Sequence, residues 1–88
     1  MVVAKSVYVE VTDGDIAHGV VGDACDCPVA LAVKEATGQR DVEVAGRMIE
    51  FVNTGERYDA PDYLWDFVGN LDNGFEVEPL FFEMTLRE

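Results

Sequence analysis

Eighty-eight residues, 49% apolar and 27% charged, suffice for one globular domain spanning 1–88 and exclude a second. Eighteen acidic side chains against six basic ones leave a formal charge of −12. That sign disfavours direct binding to a nucleic-acid backbone or an anionic membrane surface and leaves basic proteins or cations as charged partners.

The same acidity could also serve solubility alone, or salt adaptation, since Lys5 and Lys34 are the only lysines. Met1 to Val7 shows no basic leader followed by a long apolar run, so no secretory signal is expected. The longest uncharged apolar stretch, Pro28 to Val33, is far too short to span a bilayer. Cys25 and Cys27, one residue apart, cannot close a useful disulfide loop. A cytoplasmic protein is expected.

From Ser6 to Thr12, Val7, Val9 and Val11 alternate with Tyr8 and Glu10, which predicts a strand with one wet face. Thr12-Asp13-Gly14-Asp15 reads as a helix start, with Thr12 capping and Asp15 answering three positions on. Gly19 stops that helix within one or two turns. Pro28 then suits the first position of a second helix and Gly38 its left-handed end. Between them Val29, Ala32, Val33 and Ala36 make an apolar stripe that Ala30 and Leu31 widen, so this is the buried helix.

Residues 41–58 predict a β-meander. Val42 and Val44 alternate with Asp41 and Glu43, Gly46-Arg47 permits a reversal, and Met48 to Val52 returns with Ile49 and Phe51 on one side. Asn53-Thr54-Gly55 turns again, before a short strand at Arg57-Tyr58. Pro61 opens a further helix, with Asp59 expected as its cap, and Leu64, Phe67, Val68 and Leu71 mark its inner face. Asn73-Gly74 ends it. Leu80, Phe82, Met84 and Leu86 alternate in a last strand. The order β-α-β-β-α-β, with an extra helical turn, predicts an α+β fold: a mostly antiparallel sheet with helices on one face. A ferredoxin-like split arrangement is one candidate topology.

Two constellations could carry chemistry. The first is Gly22-Asp23-Ala24-Cys25-Asp26-Cys27-Pro28, where both thiols sit at a helix mouth. The helix dipole favours thiolate there, and Asp23 and Asp26 oppose it. His18, Cys25 and Cys27, with Asp23 or Asp26, supply ligand types that zinc accepts, although structural zinc pairs are spaced more widely. A Cys-His-Asp trio can be assembled from His18, Cys25 and Asp23, but any small protein offers such trios and the signal is weaker than that for metal. The plainer reading makes Cys27 a cap or a small buried hydrophobe.

The second constellation is acidic. Asp59, Asp62 and Asp66 fall three and four apart, which predicts one helix face with side chains roughly 5–6 Å apart. No basic residue lies between Arg57 and Arg87, whereas Asp59, Asp62, Asp66, Asp72, Glu76, Glu78 and Glu83 all do. Trp65, Tyr58 and Tyr63 could edge that face with aromatic rings. Such a field suits steered docking to a basic protein or mimicry of a nucleic-acid backbone.

The run Gly-Asp-Ala-Cys-Asp-Cys-Pro-Val-Ala-Leu-Ala at 22–32, the preceding Asp-Ile-Ala-His-Gly, and Val-Glu-Pro-Leu-Phe-Phe at 77–82 together resemble small acidic proteins of actinobacteria and their phages. The resemblance implies a phage or phage-derived origin, hence the host cytoplasm, and carries over no catalytic residue. The expectation is a non-enzymatic protein without cofactor or metal. It would bind a basic host protein through Asp59, Asp62, Tyr63, Trp65, Asp66, Glu76 and Glu78. The alternatives are a zinc- or thiol-dependent module at His18, Cys25 and Cys27, and a virion or assembly component with an oligomer edge.

Overall fold

Thr12 decides where the first strand ends. Its hydroxyl accepts the Asp15 N–H at 3.2 Å, and the Asp15 carboxylate accepts the Thr12 N–H at 3.0 Å. This reciprocal capping box turns β1 (Ser6–Val11) into α1 (Asp13–His18). Gly19 follows because nothing larger fits: a Cβ there would lie 2.4 Å from the Pro28 nitrogen. Pro28 then starts α2 (Pro28–Thr37), and Gly38, at φ +74°, closes it in the left-handed region. The remaining elements are β2 (Val42–Ala45), β3 (Met48–Phe51), β4 (Glu56–Asp59), α3 (Asp62–Asp72) and β5 (Leu80–Leu86).

The computed structural model describes residues 5–45 and 47–87. Residues 1–4, within the stretch searched for a leader, and Gly46 of the expected reversal lie outside the described residues.

The five strands form one sheet in the order β1-β5-β4-β3-β2, and every neighbouring pair is antiparallel. Strand alternation sends Val9, Val11, Phe82, Met84, Tyr58, Ile49, Phe51, Val42 and Val44 to one face. There they share a single core with Val29, Ala30, Ala32 and Val33 of α2 and Leu64, Phe67 and Leu71 of α3. The opposite face carries Ser6, Tyr8, Glu10, Arg57, Asp59, Phe81 and Glu83, all exposed. The fold is therefore the expected α+β type, with sheet-covering helices on one side.

Three details differ from the sequence reading. A ferredoxin-like split places the first strand inside the sheet and the last at its edge, whereas here β1 is the edge strand and β5 lies inside, between β1 and β4. The chain through α2 instead carries β2 to the edge opposite β1, and the meander contributes three strands. The α2 stripe is also narrower than expected: Ala36 is exposed where the last turn leaves the core, and Leu31, off the Val29-Ala32-Val33 line, is half-buried. Finally, Asp59 does not cap α3. The N-cap is Pro61, which makes no side-chain cap bond.

Packing leaves one polar loose end. Tyr58 is fully buried with its ring 5.0 Å from that of Phe51, and its hydroxyl finds no hydrogen-bond partner among the described residues.

Candidate functional site

The acidic helix face is built on α3, whose Leu64, Phe67 and Leu71 fix its inner side and so turn Asp62, Trp65 and Asp66 outward. Tyr63 ties the start of this helix to the sheet, its hydroxyl donating to the Phe81 carbonyl at 3.0 Å. Asp62, Trp65 and Asp66 line a surface recess of about 360 Å³ together with Arg47. On the other side of Asp66, a second recess of about 340 Å³ is walled by Tyr63, Asn70, Glu76, Glu78 and Leu80. Asp66 is common to both. Trp65 is 61% exposed and Tyr63 48%, and each lines one of the two recesses.

Six of the seven expected residues therefore gather around one helix. Asp59 does not. It ends β4, opposite Met48 and Thr85, and its carboxylate pairs with Arg87 at 2.8 Å. Strand pairing holds it there, since the next residue, Ala60, still donates its N–H to the Arg47 carbonyl.

The run that is unbroken in sequence is also interrupted in space. Arg47 pairs with Asp62, fifteen positions away, and no local spacing signals that contact. Both partners are exposed, so the pair adds little stability. Among the described residues, Asp66, Glu76 and Glu78 have no cationic partner within ion-pair distance.

The cysteine segment resolves differently from a reactive site. Cys27 is the N-cap of α2, its Sγ accepting the Ala30 N–H at 3.4 Å. Burial pushes the Cys27 thiol above its ordinary pKa, outweighing the pull of the Ala30 and Val29 amides. Asp72 and Asp23 add to that rise. Cys25 is exposed, and its N–H is held by the Asp23 carboxylate at 2.9 Å. Asp23 also accepts the Asp26 N–H at 3.1 Å, while Lys34 donates to the Cys25 carbonyl at 2.6 Å. The polar side chains of this loop thus shape its backbone.

His18 closes the same account. Its Nδ1 lies 2.8 Å from the Gly14 carbonyl on its own helix. Among the described residues no three His, Cys, Asp or Glu side chains converge so as to hold a metal ion. The centre of His18, Cys25 and Cys27 is not assembled: one thiol faces solvent and the other faces the core. What the sequence reading missed is a small recess of about 140 Å³ where Cys27, Asp23 and Val44 meet Val68 and Asp72 of α3.

No protein-family model, curated protein or solved structure matches this chain. Among the described residues no helix is long and apolar enough to cross a membrane.

Proposed function

We propose that the protein is a small, non-enzymatic interaction module of phage or phage-derived origin that binds a basic host protein in the host cytoplasm. The observation supporting this reading is the pair of recesses sharing Asp66, edged by Tyr63 and Trp65 and walled by Glu76 and Glu78. Lysine or arginine side chains of the partner would meet Asp66, Glu76 and Glu78, and an apolar group beside them would cover Trp65. Asp62 contributes less because Arg47 competes for it, and Asp59 drops out of the contact set because Arg87 holds it. The net charge of −12 speeds encounter with a cationic partner and disfavours nucleic acid and anionic lipid. A partner that normally grips a nucleic-acid backbone fits this chemistry best, and occupancy of its site would make the module an inhibitor.

Capture from an actinobacterial lysate on immobilised protein tests the reading. The captured protein is expected to be basic and to elute as salt is raised from about 50 to about 500 mM. Asp66→Asn combined with Glu76→Gln and Glu78→Gln should abolish capture. Capture that survives both the salt and the triple variant would overturn the proposal.

A further inference from the structure

The two edges of the sheet end differently, and the hydrogen-bond phase shows how. Leu86 donates its N–H to the Lys5 carbonyl at 2.8 Å, so odd-numbered residues of β1 turn their backbone groups toward β5. Ser6, Tyr8 and Glu10 therefore direct their N–H and C=O groups away from the sheet. The next residue in that series, Thr12, has its N–H taken by Asp15. On the far edge, Val52 donates to the Asp41 carbonyl, which turns Val42 and Val44 outward. There the Val44 N–H is answered by the Ala24 carbonyl at 2.8 Å. Among the described residues, the outward groups of Ser6, Tyr8 and Glu10 have no such answer.

We propose that this open edge is a homodimer interface: a second copy of the chain pairs antiparallel with β1 about a two-fold axis at Tyr8. The result is a continuous ten-stranded sheet.

The register follows from the residues. Pairing Tyr8 with Tyr8 of the second copy places Ser6 opposite Glu10 and Glu10 opposite Ser6. All three outward-facing residues then become hydrogen-bonded pairs, and six backbone groups on each copy are satisfied. A slip of two residues in either direction leaves one such pair unmade. The chosen register also sets no carboxylate against another, because Glu10 meets a serine hydroxyl. On the outer face the two Tyr8 rings meet at the axis, and Phe81 lies diagonally beside each across β5.

Those rings are 73% and 64% exposed in the single chain; among the described large apolar side chains Tyr8 is the most exposed, and Phe81 is matched by Phe75. On the core face Val7 of one copy meets Val9 of the other. Of the devices that blunt an edge, 6–11 has no proline, no bulge and no lysine, and its one charged side chain is Glu10.

Self-pairing brings two chains of charge −12 together, so added salt must strengthen it. Capture of a basic partner responds to salt in the opposite sense, which keeps the two proposals separable. The β1 edge uses none of the α3 recess residues.

Sedimentation velocity in about 0.5 M salt should give a mass near twice 9.7 kDa, falling toward the single-chain value as salt is removed. Tyr8→Lys, at an exposed position, should leave the fold intact and abolish the dimer by opposing two ammonium groups. For register, Tyr8→Cys with Cys25→Ser should oxidise to a covalent dimer, since Cα atoms of a hydrogen-bonded pair lie about 5.5 Å apart. Glu10→Cys with Cys25→Ser, facing Ser6, should crosslink at least tenfold more slowly. A single-chain mass at all salt and protein concentrations overturns the proposal. So does a dimer that survives Tyr8→Lys, crosslinking at position 10 as fast as at 8, or an edge that pairs only with an added basic peptide.

Discussion

The β2 edge and the β1 edge are both outer strands of one sheet, yet the chain treats them in opposite ways. At β2 the loop carrying both cysteines folds back, and Ala24 takes the outward Val44 N–H. Asp23, Lys34 and the Cys27 cap all serve to hold that loop in place. At β1, among the described residues, nothing comparable intervenes until the capping box at Thr12. The most distinctive sequence in this protein, with its paired cysteines, is thus a plug for a sheet edge and a helix start. The plainest sequence, an alternating valine strand, is the edge left available to a partner.

The largest effect expected from breaking the plug is at Gly19. Gly19→Ala drives a Cβ into the Pro28 nitrogen and ring, at 2.4–2.6 Å before relaxation. Overpacking of this kind costs about 1–3 kcal/mol. Urea unfolding should record that loss. Hydrogen exchange at Val44 should accelerate more than at Ile49, since the loop shifts and the strand interior does not. Thiol labelling sharpens the same point: native protein should react at Cys25 and spare Cys27, and Gly19→Ala should narrow the gap.

At the open edge the corresponding break is smaller. Thr12→Ala removes the α1 cap, which costs about 1 kcal/mol in comparable helices. It also removes the Thr12 hydroxyl bond that helps hold the Asp15 carboxylate, so the grip of that carboxylate on the backbone N–H of residue 12 loosens. Exchange at Thr12 should rise while exchange at Val44 stays unchanged. Equal changes at both positions would mean that the edges are not independent.

The interior strand β4 belongs to neither edge and supplies a reference. Tyr58→Phe deletes a buried hydroxyl that lacks a partner while keeping the ring against Phe51. Relief of an unsatisfied polar group should hold stability level or raise it by up to about 1 kcal/mol. A loss of stability in thermal unfolding would mean that an ordered water serves this hydroxyl.

These contrasts also explain how much the sequence revealed. Local signals carried the elements: the Thr12–Asp15 box, Pro28 and Gly38 bracketing α2, and the alternation in β1 and β5 all act within a few residues. The α+β class follows from their order. Strand order was not legible, because the register of β5 between β1 and β4 depends on contacts across the whole chain. For the same reason the acidic site was read only in part. Asp62 and Asp66 share a helix face as their spacing requires. The capping signal at Asp59 is overridden by strand pairing, which extends through the Ala60 N–H and the Arg47 carbonyl. The arginines beside Asp59 and Asp62 come from residues 28 and 15 positions away, beyond any local pattern.

The smallest expected effect lies where the open edge and the plug are joined, at the contact of α1 with α2. Asp15 is 3% exposed, and Glu35 of α2 reaches it from solvent. A hydrogen bond to Asp15 raises the pKa of Glu35, with smaller contributions from burial and from the Asp15 charge. The folded protein therefore holds the Glu35 proton more tightly than the unfolded chain does. Its stabilising contribution is fully present below the ordinary glutamate range and is lost as pH rises through the raised folded value. Glu35→Gln supplies a permanent N–H donor to Asp15 without a charge. The variant should be more stable than the parent at pH 7, by well under about 1 kcal/mol because the site is solvent-screened. That advantage should vanish by about pH 4, where the parent regains its proton. Parallel urea curves at the two pH values measure it, and an advantage that persists at low pH would show that the contact is not carboxyl to carboxylate.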